Sequence, residues 1–190
     1  MYLFFDTETT GIPINYRAPI TDLNNWPRLV QIAWIRYDEN ENKISQDGYI
    51  IKPEGFEIPE DASRVHGITT EEALANGKNL KRILNKFSND IGESKVIVAH
   101  NMNFDEKIVG AEFLRKKISH NLFDIIRFCT MKEATNFCRL PGNNGGYKWP
   151  RLSELHIKLF GKDFEDAHDA SSDVEACARC FFEMKKKGII

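Results

Sequence analysis

Four apolar residues, Tyr2–Phe5, open the chain and run straight into alternating acids and threonines that end at Gly11. An apolar run closed by Thr10-Gly11 predicts a strand over Tyr2–Glu8. Residues 12–28 hold three prolines and neither the helical nor the strand period, so a long loop is expected. Leu29–Tyr37 predicts a second strand, and Ile44–Lys52 a third, joined to it through a short turn as an antiparallel hairpin. Apolar spacing predicts helices over Glu71–Asn76 and Asn79–Ile91, the second with Leu80, Ile83, Leu84 and Phe87 on one stripe. Lys95–Ala99 is a fourth strand and Phe104–Lys117 a helix with Ile108, Ala111 and Leu114 in register. A fifth strand is expected over Leu122–Phe128 and helical turns near Lys132–Phe137. A Gly-rich loop follows at 141–146, then a helix over Leu152–Leu159. The last helix, Asp169–Lys187, turns Val174, Cys177, Phe181 and Met184 inward.

Strands mixed with covering helices in this order predict a three-layer α/β fold whose sheet is mostly parallel after the opening hairpin. At 190 residues, with no internal repeat, the chain is expected to form a single domain over 1–190. Its net charge of −2 and hydrophobic fraction of 42% neither demand nor exclude nucleic acid as a partner. No segment resembles a signal peptide and no apolar run reaches the length of a membrane helix, so no membrane role is expected. Four cysteines make no disulfide scaffold, and a cytoplasmic location is the expectation.

The chemistry starts with Asp6 and Glu8. Strand side chains alternate faces, so both carboxylates point the same way, with backbones about 6.6 Å apart. Buried together without a cation, they would repel and be costly to desolvate. Mg²⁺ or Mn²⁺ would take such hard oxygen ligands readily. The competing reading is a strand end emerging into solvent, where two acids are harmless.

Two further corners bear on the choice. In KVIVAHNMNFD (95–105) a strand runs into a helix that carries Asp105 near its first turn. Ligands of open α/β sheets lie at the carboxyl ends of strands; Asp105 approaches Asp6 and Glu8 if this strand neighbours the first. Alternatively, Asp105 merely favours the positive end of its helix. In HDASSD (168–173), Asp169 suits a helix N-cap and Asp173 falls about one turn in, on the row of Cys177 and Met184. An acid on that face needs a partner. His168 precedes the helix and could act as a base on water. Four acids and a histidine at three strand-to-helix corners suit two metal ions about 3.5–4 Å apart that clamp an attacking water and a leaving oxygen.

These residues resemble the DnaQ-like, DEDDh family of 3′→5′ exonucleases. Asp6-Thr7-Glu8-Thr9-Thr10-Gly11 is similar to its first motif, His100-Asn101-Met102-Asn103-Phe104-Asp105 to its second, and His168-Asp169-Ala170-Ser171-Ser172-Asp173 to its third. His66-Gly67-Ile68-Thr69 is similar to a segment of the polymerase III epsilon-type members. The motifs run in the family's order from residue 6 to residue 173. The resemblance implies an RNase H-like fold with a five-stranded mixed sheet, its second strand antiparallel. It also implies that Asp6 bridges two divalent ions, Mg²⁺ or Mn²⁺, and that Glu8 and Asp173 hold the ion carrying the water. Asp105 supports the site and His168 is the general base. Thr9, Thr10, Gly11 and Asn101 lie near the terminal nucleotide, His66 and Ile68 against its base or sugar, and Phe104 beneath it.

The implied activity is release of nucleoside 5′-monophosphates from single-stranded 3′ ends, with DNA favoured over RNA. A polymerase partner is compatible with the resemblance, but nothing in the chain points to one. Three rival readings stand: an RNA-trimming or oligoribonucleotide-degrading enzyme, a non-catalytic nucleic-acid-binding module of the same fold, and a nucleotide phosphatase. The loops at 12–28 and 141–147 exceed the compact family pattern. Both border the expected groove, which leaves the sugar preference open. The Cys177-Ala-Arg-Cys180 pair has core spacing within a helix, which favours packing over zinc. Trp34 is expected in the core; for Trp26 and Trp149, base stacking and loop anchoring weigh equally.

Overall fold

The computed structural model describes residues 1–143, 145–164 and 169–190. Its sheet is formed by β1 (Tyr2–Thr9), β2 (Leu29–Tyr37), β3 (Lys43–Ile50), β4 (Val96–Ala99) and β5 (Ile126–Cys129) in the order β3-β2-β1-β4-β5. β2 runs antiparallel to both its neighbours, whereas β4 and β5 add in parallel beyond β1. The sheet is thus five-stranded and mixed, with an antiparallel second strand.

Helices cover both faces, and the alternation along β1 decides what each face buries. Leu3 and Phe5 join Ile32, Trp34 and Ile97 in one cluster. Helix α3 (Leu80–Gly92) closes that cluster with Leu84 and Phe87, and α4 (Met102–Lys116) with Ile108 and Val109. Phe4 faces the other way, with Ala33, Ile35 and Val98, onto Val174, Cys177 and Phe181 of α8 (Ala170–Lys186). Asp6 and Glu8 share the Phe4 face, so the strand's own alternation turns both carboxylates toward α8.

Between these elements lie α1 (Glu60–His66), α2 (Thr70–Asn76), the single turns α5 (Thr130–Glu133) and α6 (Thr135–Cys138), and α7 (Leu152–Phe160). Two expectations need correction. The first concerns α1, which the hydrophobic period does not mark because only Ala62 and His66 of its seven residues are buried. Its signals are instead terminal: Glu60 and Asp61 in the first turn favour the positive end, and Gly67 follows the last residue. The second is β5, which begins at Ile126 rather than Leu122. Leu122 is fully buried and Ile125 partly so, but they pack on the core from turns rather than from a ladder.

The long loop at 12–28 forms no helix or strand, yet it is firmly held. Trp26 is buried, and its Nε1 donates to the Pro19 carbonyl (3.0 Å). Asn25 and Asn15 exchange side-chain and backbone hydrogen bonds of 2.7 and 3.1 Å. From α4, Arg115 donates to the carbonyls of Leu23 and Trp26 (2.5 and 2.7 Å). Trp26 is therefore a loop anchor and unavailable for stacking.

Candidate active site

The site forms where the central ladder stops. β1 pairs with β4 only as far as Phe4 opposite Val98, whereas its pairing with β2 continues to Thr9. Beyond Phe4 a crevice opens at the carboxyl ends of two parallel strands, where α/β sheets bind ligands. Asp6 and Glu8 line its β1 side.

Asp173 arrives from α8, whose start is docked on the hairpin. Gln31, opposite Glu8 on β2, donates from Nε2 to Asp169 Oδ1 (2.8 Å) and accepts from the Ala170 backbone N–H (3.1 Å). Asp169 is the N-cap, its side chain accepting from the Ser171 N–H. Gly48 on β3 permits this approach: a Cβ there would fall 2.7 Å from Ser171 Oγ. One turn into the helix, Asp173 meets the β1 acids. Oxygens of Asp6, Glu8 and Asp173 all lie within 4.8 Å of one another.

Asp105 enters from the opposite face, in the first turn of α4. Its Oδ1 accepts a 2.7 Å hydrogen bond from Thr7 Oγ1, the β1 residue that points away from Asp6 and Glu8. Asp105 therefore adds a fourth carboxylate beside the three-acid cluster, tied to β1 through Thr7. The four acids interact strongly. Burial pushes the Asp6 carboxyl well above the usual range, and the charges of Asp105, Asp173 and Glu8 add to the rise. Glu8 is pushed up to about 8, by burial first and then by Asp173 and Asp105. Asp105 rises to about 7 through burial, although the Thr7 hydrogen bond opposes the shift. Neighbouring like charges and desolvation act together here, and a cation would relieve both. The donor set consists of hard carboxylate oxygens converging from two elements, which fits Mg²⁺ or Mn²⁺.

The remaining expected residues ring this cluster. Gly11 has φ +142°, a conformation that favours glycine, and it ends the first motif in a tight turn. Thr9 Oγ1 donates to the Gly11 carbonyl (2.6 Å), and Thr10 Oγ1 accepts from the Arg28 N–H (2.9 Å). His66 and Ile68 are buried, with the Ile68 N–H donating to His66 Nδ1 (3.2 Å). Among the described residues, buried His66 Nε2 meets no partner at normal hydrogen-bond geometry, although the Thr9 backbone lies close to the ring. Burial holds that imidazole below its usual value, opposed by the Thr9 backbone. Asn101 adopts a left-handed conformation (φ +78°) ahead of α4, and Phe104 packs partly on the core beside Tyr16. His168 lies outside the described residues.

The exonuclease family model of the RNase T type matches residues 3–181. DNA polymerase III subunit epsilon of Treponema pallidum is 32% identical over 95% of this chain and 74% of its own length. The chain belongs to the DnaQ-like, DEDDh family of 3′→5′ exonucleases. The PolC-type DNA polymerase III of Streptococcus pneumoniae is 30% identical over 98% of this chain, which spans only 11% of that much longer protein. Among solved structures, E. coli exonuclease I bound to a dT13 oligonucleotide superimposes with a TM-score of 0.76 at 26% identity, covering 97% of this chain and 40% of its own. A zinc-bound complex of the same enzyme with single-stranded DNA gives 0.78, with 98% and 40% covered. The fold is thus the RNase H-like exonuclease fold.

Within this exonuclease fold, three further residues support the site: Thr7 and His100 stand inside the first and second motifs, and Gln31 stands outside all of them. Thr7 holds Asp105, and only strand alternation hints at it. Gln31 ties the third motif to the first, which depends on a strand register. His100 is neutral, its imidazole pushed down to about 4 by burial. Its Nε2–H donates to the Pro150 carbonyl (3.0 Å), while Nδ1 meets Thr130 Oγ1 (3.0 Å). That bond fixes the end of the 141–150 loop against the second motif.

Proposed function

We propose that this chain removes nucleoside 5′-monophosphates from the 3′ ends of single-stranded DNA with two divalent ions, Mg²⁺ or Mn²⁺. The observation that carries the reading is the convergence of Asp6, Glu8 and Asp173 oxygens within 4.8 Å at the crevice between β1 and β4. Asp6 would contact both ions, Glu8 and Asp173 the one nearer the water, and Asp105 would support the set from the Thr7 side. When bound, such ions lower the pKa of an attacking water and offset charge on the leaving oxygen. His168 accepts the proton of that water. The water oxygen bonds to the terminal phosphorus, the bond to the penultimate 3′-oxygen breaks, and that oxygen is protonated to leave a new 3′-hydroxyl. Thr9, Thr10, Gly11 and Asn101 position the terminal nucleotide, with His66 and Ile68 against its base or sugar and Phe104 beneath.

Single strands are favoured because the 3′ terminus must leave its partner to reach the crevice. DNA is favoured over RNA because the similar proteins are DNA polymerase III components and a nuclease solved with DNA oligonucleotides. The same relatives make a polymerase assembly a reasonable partner to test.

The test is a gel assay with 5′-labelled DNA and RNA single strands of matched sequence, run in Mg²⁺, in Mn²⁺ and with chelator. A metal-dependent ladder shortening from the 3′ end, faster on DNA, is expected. Faster shortening of RNA would transfer the assignment to RNA trimming. Intact strands in both metals would leave a binding module or, if nucleotides lose inorganic phosphate, a nucleotide phosphatase.

A further inference from the structure

A groove of about 740 Å³ lies between residues of the two long loops, and Asn101 and Asn103 of the second motif are part of its lining. One wall is the 12–28 loop, through Tyr16 and Arg17; the other is Trp149, at the end of the Gly-rich loop. Lys107 and Lys132 line it from α4 and α5, and Asn101 joins its inner end to the second motif. Among the described residues no acid lines this groove, although the chain as a whole carries a net charge of −2. Three cations are thus gathered on one path in an otherwise slightly acidic protein. Arg17 and Lys132 form no ion pair among the described residues.

Both walls present an aromatic ring to solvent. Trp149 is 61% exposed and Tyr16 is 48% exposed, so neither ring is used to build the core. Both are nevertheless held in place. Lys107 Nζ donates to the Tyr16 carbonyl (2.9 Å) and lies 5.1 Å from the centre of the Trp26 ring. The Tyr16 ring stands 6.5 Å from that of Phe104, one residue before Asp105. Trp149 directly precedes Pro150, whose carbonyl is pinned by His100. Exposed rings on anchored backbones, interleaved with unpaired cations, form a platform for unstacked bases and their phosphates.

We infer that this groove binds the nucleotides immediately upstream of the 3′ terminus, stacking their bases on Trp149 and Tyr16 and their phosphates along Arg17, Lys107 and Lys132. The inference rests on the single-strand reading above and extends it to the path of the strand. A duplex cannot use the platform, because its bases are already stacked on each other. The two loops that lengthen this chain relative to the compact family pattern thus become the source of its strand preference.

The experiment compares kcat/KM for dT12 with kcat/KM for the p-nitrophenyl ester of thymidine 5′-monophosphate, which reaches the crevice but not the groove. The dT12/ester ratio is expected to fall about 5- to 100-fold in Trp149→Ala, the usual worth of one stacked base. In Lys132→Ala, the slope of log kcat/KM for dT12 against log salt should flatten by roughly 0.7, the loss of one single-strand phosphate contact. Because the ratio is internal to each variant, partial loss of folded protein does not mimic it. An unchanged ratio in Trp149→Ala, or an unchanged slope in Lys132→Ala, overturns the groove. If the unaltered chain itself hydrolyses the ester but not dT12, the single-strand reading fails first, and the groove loses its occupant with it.

Discussion

Two acidic sites about two turns apart on one side of α4 show how differently one chain treats a buried carboxylate. Glu112 is fully buried, and its Oε1 gathers Arg28 Nε (2.8 Å), Arg115 Nη1 (2.9 Å) and the Leu29 N–H (3.2 Å). Two guanidiniums therefore compensate one carboxylate, and the cluster locks the 12–28 loop to the helix. Two turns earlier on the same helix, Asp105 sits beside Asp6 and Glu8, and among the described residues no lysine or arginine forms an ion pair with any of these three. The first site completes its electrostatics with protein groups. The second leaves a deficit that a divalent ion can fill. Uncompensated charge is a cost to folding, and here it is the property that suits the cluster to a divalent ion.

Neutralising one acid at each site should move stability in opposite directions. Asp6→Asn is expected to abolish turnover while raising the melting temperature of the metal-free chain, because it removes repulsion. His168→Ala should retain metal-dependent cleavage at a rate about 10²–10⁴-fold lower at neutral pH, the usual worth of a general base. A full-speed Asp6→Asn enzyme would end the assigned chemistry. Glu112→Gln, by contrast, should cost about 3 kcal/mol in denaturant unfolding, since it leaves two partly buried guanidiniums without their compensating charge. That is the low end of the usual range, because Arg28 keeps 24% of its side chain exposed. A neutral outcome would mean that the arginines reach solvent on their own.

The acid cluster should also make stability depend on pH and metal together. Asp6, Glu8 and Asp105 hold their protons to higher pH in the folded chain than in the unfolded one. Unfolded carboxyls ionise near pH 4, and Glu8 does so only at about 8 when folded. Across that window the folded chain binds more protons, so metal-free stability should fall as pH rises and level off above it. Mg²⁺ should accordingly raise the melting temperature more at about pH 8.5 than at about pH 5. Equal gains at both would contradict metal binding through these acids. The smallest effect belongs to Thr7→Val. Leaving Asp105 Oδ1 without its donor should cost about 1–3 kcal/mol. The acid limb of the kcat/KM profile should also shift upward, because the bond that opposes the Asp105 shift is gone.

Much of this was legible in the chain because it depends on local periods. The strand alternation of Tyr2–Glu8 put Asp6 and Glu8 on one face, and the helical row through Cys177 put Asp173 on the buried side of α8. Helix α1 escaped the period because seven residues with two buried positions leave too little stripe to read. Leu122 misled for the opposite reason: an apolar residue can be fully buried from a turn as well as from a strand.

By itself, then, the sequence determined on which element faces Asp6, Glu8 and Asp173 lie, since alternation and helical spacing are properties of neighbouring residues. Tertiary structure alone decided that the β1–β4 ladder ends at Phe4, that Thr7 hydrogen-bonds Asp105 beside the acid cluster, and that Trp26 is an anchor while Trp149 stands in a groove. Apart from the Trp26–Pro19 bond, which spans seven residues, these depend on partners dozens of residues away, and no local pattern encodes a distance between segments that meet only when the chain has folded.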